Sequence, residues 1–377
     1  MDIAVIGTSR KENENRRPIH PSHIANIPKQ VREHLIFERG YGMPFGMSDD
    51  EIRFLTGNDL MDRKQLLRNL KAVLITKPVI EDFEEVGNGT MVWGWLHSVQ
   101  QRYIAQLGID KKLTLIAWEN MYYESGRELI HTFSRNNELA GYCGVQHALE
   151  VVGLDGNFGP VRDAAIISFG SVSRGAIFSL RSHGINNITV YTQRPTSLVA
   201  NQIPGITYHQ FAENEFGGFD IIHLNGSRTP IIDELTSVDI IVNGILQNPV
   251  KPIILVNDDD IIRFQTSCLV IDVSCSKGMG FSFAYPTTFS NPIANIGNIQ
   301  YYGVDHTPTL LWNSATWEIS QVLLPYLESV VLEKENKVIT DAIDIKNGKI
   351  MNQDILMYQN RSKVYPYKQL SDEKVSQ

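Results

Sequence analysis

Cysteine is scarce in this chain. Its 377 residues hold three, Cys143, Cys268 and Cys275, with no C-x-x-C pair and one left over after any pairing. That excludes a disulfide scaffold and predicts a reducing compartment. Long apolar runs are missing too. The opening MDIAVIGTSRKENENRRP turns charged after a few apolar residues, too soon for a secretory signal, and no stretch reaches the roughly 20 apolar residues a bilayer crossing needs. A cytoplasmic protein with no membrane contact is therefore expected. Positive charge is in deficit, 34 Lys and Arg against 42 Asp and Glu, for a net charge of -8. Nothing in that balance attracts nucleic acid or an anionic membrane in bulk. His131, His183, His209 and His223 follow neither an H-x3-H nor a mixed Cys/His spacing, so no metal is expected. Internal repeats and low-complexity tracts are also lacking.

What is present is an ordinary globular composition, 42% hydrophobic and 20% charged, over a length that suits two domains. IAVIG, HLIFERGYG, AVLITKP and LTLIAWE are short apolar runs that end in polar residues. Between them DDEIRFL and DRKQLLRNL have helical spacing, and such alternation predicts parallel strands with helical crossovers. Residues 137–152 form a helical stripe interrupted by Gln146, and GLDGNFGP then marks a hinge into a second domain. AAIISFGSVSRGAIFSL follows as strand, turn and helix, and INNITVYTQRP as the next strand. VDIIVNGIL, PIILV and SCLVIDVS continue the pattern, predicting at least five strands in this half. A second long helix is predicted from Thr309 to about Val331, and NGKIMN as a hairpin or turn.

The turn Gly170-Ser171-Val172-Ser173-Arg174-Gly175 sits where a dinucleotide's pyrophosphate would rest on a helix N-terminus. Gly170 and Gly175 take the first and third glycine positions of that fingerprint, and Val172 replaces the middle one. A tight structural turn is the competing explanation. At the end of the next strand an NAD site usually carries Asp or Glu for the ribose hydroxyls. Here stand Thr192, Gln193 and Arg194, so no carboxylate would repel a 2′-phosphate and Arg194 can pair with it. NADP(H) is the expected cofactor; the alternative is that Arg194 is a solvated loop charge. Asn243, Gly244 and Leu246 end a later strand where such folds touch the nucleotide, and Asp305 and His306 follow another, near the nicotinamide or in a helix-capping turn. The expected fold is α/β with two Rossmann-like domains. The dinucleotide-binding one, residues 136–307, is inserted in a discontinuous substrate domain of residues 1–135 and 308–377.

Arg16 in NENRRP, Lys77 in ITKP, His97 in WLHSVQ and the NELAG helix resemble the alanine dehydrogenase and pyridine nucleotide transhydrogenase family over nearly the whole chain. WGWLHSVQ, LTLIAWE, NNELAGYCGVQHAL, ISFGSVSRGA and YYGVDHTPTLLWNSATWEIS resemble its carboxyethylornithine synthase branch. That branch joins pyruvate to the side-chain amine of ornithine or lysine and reduces the imine with NADPH. A homo-oligomer is a further implication of the resemblance.

Reductive amination of a 2-oxo acid needs a clamped carboxylate, a polarised carbonyl or imine, and a hydride donor against the carbon. By resemblance Arg16 would clamp the carboxylate, Lys77 would reach the carbonyl oxygen or the same carboxylate, and His97 would exchange the proton. Taken singly, each also suits a structural role: Arg16 or Lys77 as a solvated charge, His97 as a packed core imidazole. Trp95 and Trp118 would frame the substrate or belong to the core, and Cys275 is expected to be structural. One position departs from the family: aligned on Asp272, its loop aspartate falls on Ser276, followed by Lys277. Either Asp272, Asp305 or Glu119 substitutes for it, or the amine differs, or activity is impaired, and Asp272 is expected to point into its strand's packing. The leading expectation is thus NADPH-dependent condensation of pyruvate, or a similar 2-oxo acid, with an amino acid's amine. The alternatives are a different amine or imine from a natural-product pathway, an alanine dehydrogenase-like reaction, and a catalytically weak NADP-binding protein.

Overall fold

Strands covered on both faces have no polar side, so they appear in sequence as unbroken apolar runs. A computed structural model describes residues 1–126, 128–247 and 251–370. The chain divides into two compact units, Met1–Ser134 with Leu311–Gln377, and Arg135–Leu310.

The first unit is built on β1 (Ile3–Val5), β2 (Leu35–Phe37), β3 (Ala72–Leu74), β4 (Met91–Gly94) and β5 (Thr114–Ala117), all parallel and ordered 2-1-3-4-5. The strands Ile343–Lys346 and Lys349–Ile350 extend the sheet antiparallel beyond β5. They are joined by Asn347-Gly348, both at positive φ, which fits the right-handed twist of a two-residue hairpin; this is the NGKIMN hairpin. Alternation along the strands feeds two cores. Val5, Leu74 and Ile116 pack on one face with Ile319, Leu323 and Leu327 of the helix Trp312–Val331. Ala4, Val73 and Leu115 pack on the other with Ile104 and Ile109. DDEIRFL becomes the helix Asp49–Thr56, started by a capping box between Ser48 and Glu51.

The second unit holds β6 (Asp163–Ile167), β7 (Asn187–Thr192), β8 (Thr207–Glu213), β9 (Phe219–Ile222), β10 (Arg228–Pro230), β11 (Ile240–Asn243), β12 (Cys268–Asp272), β13 (Ile293–Ile296) and β14 (Ile299–Tyr302). The sheet runs β10-β9-β8-β7-β6-β11-β12-β14-β13. Its parallel centre, from β8 to β14, is the 3-2-1-4-5-6 order of a doubly wound dinucleotide fold, with the reversal between β6 and β11. Both units are thus Rossmann-like α/β sheets.

One of the expected strands forms outside the main sheet. PIILV does not join the main sheet: Ile254–Val256 pairs instead with Gly280–Phe281 in a separate two-stranded parallel sheet. The reason is that β11 is already hydrogen-bonded by β6 on one side and β12 on the other, which leaves no edge. Leu255 and Val256 are buried all the same, so their apolar pattern is that of a core strand.

Candidate functional site

In the second unit β6 ends at the reversal of strand order and runs through Ser168 and Phe169 into Gly170. Gly170 caps the helix Ser171–Ser182, and among the described residues no side-chain hydrogen bond caps that helix. A Cβ on Gly170 would meet nothing within 4 Å, so the space above it is open to a ligand. Gly175 answers a different need, since a Cβ there would lie 1.8 Å from the Glu138 carbonyl oxygen in the helix Ser134–Val152. Gly141 is its counterpart, its Cβ position 1.9 Å from the Val172 oxygen. The two helices cross backbone to backbone. Val172, at the middle position of the fingerprint, packs toward Gly244, where a Cβ would come 3.0 Å from Val172 Cγ1.

The end of β7 lies beside this turn. Arg194 donates from Nη2 to the Phe169 carbonyl at 2.9 Å, and its N–H donates to Thr192 Oγ1 at 3.3 Å. Thr192 is buried, whereas Gln193 and Arg194 are exposed. Arg174, inside the turn, lays its guanidinium 4.2 Å over the Phe169 ring and donates to the carbonyls of Ala200 and Asn201. An open glycine, unused helix donors and a strand end without a carboxylate make a set that fits a phosphorylated dinucleotide.

Asn243 and Asp272 end neighbouring strands, and both are fully buried. Asp272 accepts from Asn243 Nδ2, Cys275 N and the Tyr301 hydroxyl, each at 3.0 Å. Its carboxylate therefore braces the loop carrying Ser276, which is half-buried with Oγ donating to the Ser274 carbonyl at 3.3 Å. Gly244 is half-buried and Leu246 exposed. His306 is buried, with Nδ1 2.6 Å from Asp305 Oδ1 and its ring edge-on to Phe289.

Burial pushes Asp272 up to about 6 from an ordinary value near 3.8. A group whose pKa is raised in the folded state contributes stability that is complete below the ordinary value and lost as pH rises through the raised one. Between about pH 4 and 6 the folded state should therefore lose on the order of 3 kcal/mol through this carboxyl alone. We expect Asp272→Asn to flatten that part of the profile. Urea midpoints at acidic and neutral pH check it, and equal slopes for both proteins would refute the assignment.

The first unit brings Arg16 and Trp95 together and places Lys77 and His97 after parallel strands. Arg16 donates from Nε to Glu14 Oε1 at 2.8 Å and from Nη2 to Glu14 Oε2 at 2.5 Å, both side chains being buried. Its Cζ stands 4.9 Å from the Trp95 ring centroid. Trp95 in turn meets Trp118 and Phe133 at 4.8 and 5.2 Å, so it serves the aromatic core and the guanidinium together. Lys77 is half-buried beyond β3, its carbonyl accepting from Ser9 Oγ at 2.7 Å.

His97 follows β4 with φ +48, an uncommon backbone state for a residue other than glycine. Glu119, beyond β5, holds that turn by accepting from His97 N at 2.5 Å and Leu96 N at 3.2 Å. Burial and the nearby Asp344 carboxylate push Glu119 above the carboxylate range. Asp344, itself buried and raised, accepts from Ser98 Oγ and from Asn120 and Asn352. Glu119 is thus a positioning residue for His97. Asp344 escapes a sequence reading because it sits more than 200 positions from the turn it supports. Glu14, Arg17 and Arg174 are likewise legible only in the fold. Among the described residues, no group of three or more His, Cys, Asp and Glu could hold a metal ion, and no helix is long and apolar enough to cross a membrane.

Residues 187–359 match the family model described as the alanine dehydrogenase/PNT C-terminal domain. Similar proteins include an N(5)-(carboxyethyl)ornithine synthase of Clostridium botulinum, 26% identical over 340 residues, covering 85% of this chain and 92% of that one. Another of that name from Lactococcus lactis is 26% identical over 327 residues, covering 82% and 90%. Among solved structures an L-alanine dehydrogenase superposes with a TM-score of 0.71 at 17% identity, covering 95% of this chain and 99% of that one.

Proposed function

We propose that this protein, whose residues 187–359 match the alanine dehydrogenase/PNT C-terminal domain, is an NADPH-dependent enzyme that joins a 2-oxo acid to an amino acid's amine and reduces the imine. Pyruvate is the proposed oxo acid, and the side-chain amine of ornithine or lysine its partner. The observation that carries the reading is the likeness to two N(5)-(carboxyethyl)ornithine synthases over more than four-fifths of the chain. A carboxyethyl group on a side-chain nitrogen results when a three-carbon 2-oxo acid condenses with that amine, loses water, and gains a hydride on carbon and a proton on nitrogen.

In this reading Arg16 orients the oxo acid by its carboxylate, with its fork pre-set by Glu14 and its face by Trp95. Lys77 polarises the carbonyl oxygen, and His97 moves the proton at the condensing centre, its turn held by Glu119. Gly170, Ser171 and Val172 would hold the pyrophosphate, with Gly175 letting their helix pack close against the helix behind it, and Thr192, Gln193 and Arg194 would hold the 2′-phosphate. Gly244, Leu246, Asp305 and His306 would complete the nucleotide site, with Asn243 bracing it through Asp272. Bound NADPH supplies the hydride. Ser276 favours a second reading in which the amine differs from ornithine, because a hydroxyl there carries no charge to attract an ammonium group.

Following NADPH and NADH loss with pyruvate and ornithine, lysine or ammonia tests the proposal. Turnover with ornithine or lysine and NADPH is expected; turnover only with ammonia and NADH would refute it. Arg194→Asp should lower the preference for NADPH over NADH by about 10- to 100-fold, the worth of one charge-assisted hydrogen bond plus the new repulsion. An unchanged ratio of kcat/KM values would remove Arg194 from the phosphate site.

A further inference from the structure

Strand order in the first unit reverses between β1 and β3, and ligands of open α/β sheets bind beyond the carboxyl ends of strands at such a reversal. A cavity of about 380 Å³ lies there, a size typical of small-molecule sites. Its lining includes Gly7, Thr8 and Ser9, which leave β1, together with Glu14, Arg17 and Trp312.

Arg17 differs from its neighbour Arg16 in what it meets. Its side chain is buried, and its Cζ lies 5.1 Å from the Tyr41 ring and 5.7 Å from the Phe45 ring. It packs over Gly7, where a Cβ would come within 3.3 Å of Cζ and Nη1, so the glycine makes room for the guanidinium. The Arg17 backbone is pinned by its N–H donating to Thr316 Oγ1 at 2.9 Å. Among the described residues the guanidinium makes one hydrogen bond, from Nη1 to the Gly40 carbonyl at 3.3 Å, and meets no carboxylate within ion-pair distance.

Glu38 acts on Arg17 through its charge, but its oxygens accept hydrogen bonds from Gly7 N, Thr8 N and Thr8 Oγ1. Glu14 also lines the cavity, but Arg16 neutralises it. The Arg17 guanidinium therefore stands buried at the cavity wall with no ion-pair partner among the described residues. Burial lowers the pKa of Arg17, which shows how poorly the chain itself compensates this cation.

We propose that Arg17 binds the α-carboxylate of the amino-acid partner, leaving Arg16 to the 2-oxo acid. The inference rests on the reading that two carboxylate-bearing molecules are joined here, since each then needs its own cation. The hydroxyl groups of Thr8 and Ser9 and the paired Glu14 give the cavity polar partners for a zwitterion.

The test compares wild type with Arg17→Met and Arg17→Lys, using ornithine, pyruvate and 1,4-diaminobutane, which is ornithine without its carboxylate. Arg17→Met should raise KM for ornithine at least 30-fold, keep KM for pyruvate within twofold, and abolish the preference for ornithine over the diamine. Arg17→Lys should restore part of that preference. Unchanged NADPH binding and circular dichroism establish that the variants are folded. Calorimetric titration of the full chain with ornithine gives a readout that needs no turnover. Loss of ornithine binding in Arg17→Met, even if wild type turns over no pair, upholds Arg17 and sinks the proposed reaction alone. Turnover with wild-type kinetics in Arg17→Met, an effect confined to pyruvate, or equal losses for ornithine and the diamine overturns the assignment. So does a wild-type protein that binds no amino acid.

Discussion

Gly175→Ala should cost about 3 kcal/mol or more of folding stability, while Gly170→Ala leaves the protein folded but poor at holding NADPH. The two glycines sit five positions apart in one turn, and a fingerprint treats them alike. Their surroundings are opposite. At Gly175 a methyl group would stand 1.8 Å from the Glu138 carbonyl oxygen and 2.7 Å from its carbon. Both are backbone atoms of a 19-residue helix, which cannot swing aside as a side chain would. Relief requires the two helices to separate, opening the core in which Val145, Ala148, Ala176 and Ile177 meet. Against a typical total of about 5–15 kcal/mol, that loss should show as a large drop in the urea or thermal midpoint. At Gly170 a methyl group meets nothing within 4 Å, and its φ of -108 suits any residue. The midpoint should stay within about 0.5 kcal/mol, and the damage should appear in NADPH titration, where the added carbon occupies the approach to the helix donors. A Gly170→Ala protein that binds NADPH normally would mean that the pyrophosphate lies elsewhere.

Arg16→Met should lower kcat/KM for the oxo acid roughly 100- to 1,000-fold, the scale for truncating one side of a buried, hydrogen-bonded charge pair. The same substitution takes the guanidinium from Glu14, whose side chain is fully buried, so a lower melting temperature should accompany the kinetic loss. Arg16→Lys separates the two effects: a lysine keeps the charge but cannot reproduce the two-pronged contact to Glu14 while lying over Trp95. It should recover stability more than catalysis. If Arg16→Lys restores both equally, Arg16 is a structural partner of Glu14 and not a substrate clamp.

The parallel sheets were legible because strands such as AAII and DIIVN are apolar on both faces, and the helices because the spacing of DDEIRFL or the NELAG stripe marks them locally. Membership of a sheet was not. PIILV has the composition of a central strand, yet both edges of β11 are occupied, and occupancy is set by distant parts of the chain. The site divides in the same way. Gly170, Arg16, Lys77 and His97 stand in short motifs that can be located one at a time. The partners that give them geometry do not: Asp344 supports the turn of His97 from near the end of the chain, and Glu14 decides which of two adjacent arginines is occupied.

By itself, the sequence determined that the protein is α/β, that a glycine-bearing turn into a helix follows the first strand of the second unit, and that no carboxylate ends the next strand. These are properties of residue type and spacing within a few tens of positions. Only the tertiary structure decided that Gly175 packs while Gly170 stays open, that Asp272 braces a loop, and that Arg17 faces a cavity without a counter-ion among the described residues. Each of those depends on which atoms lie across a gap of a few ångströms, and chain folding brings them there from positions that no local pattern connects.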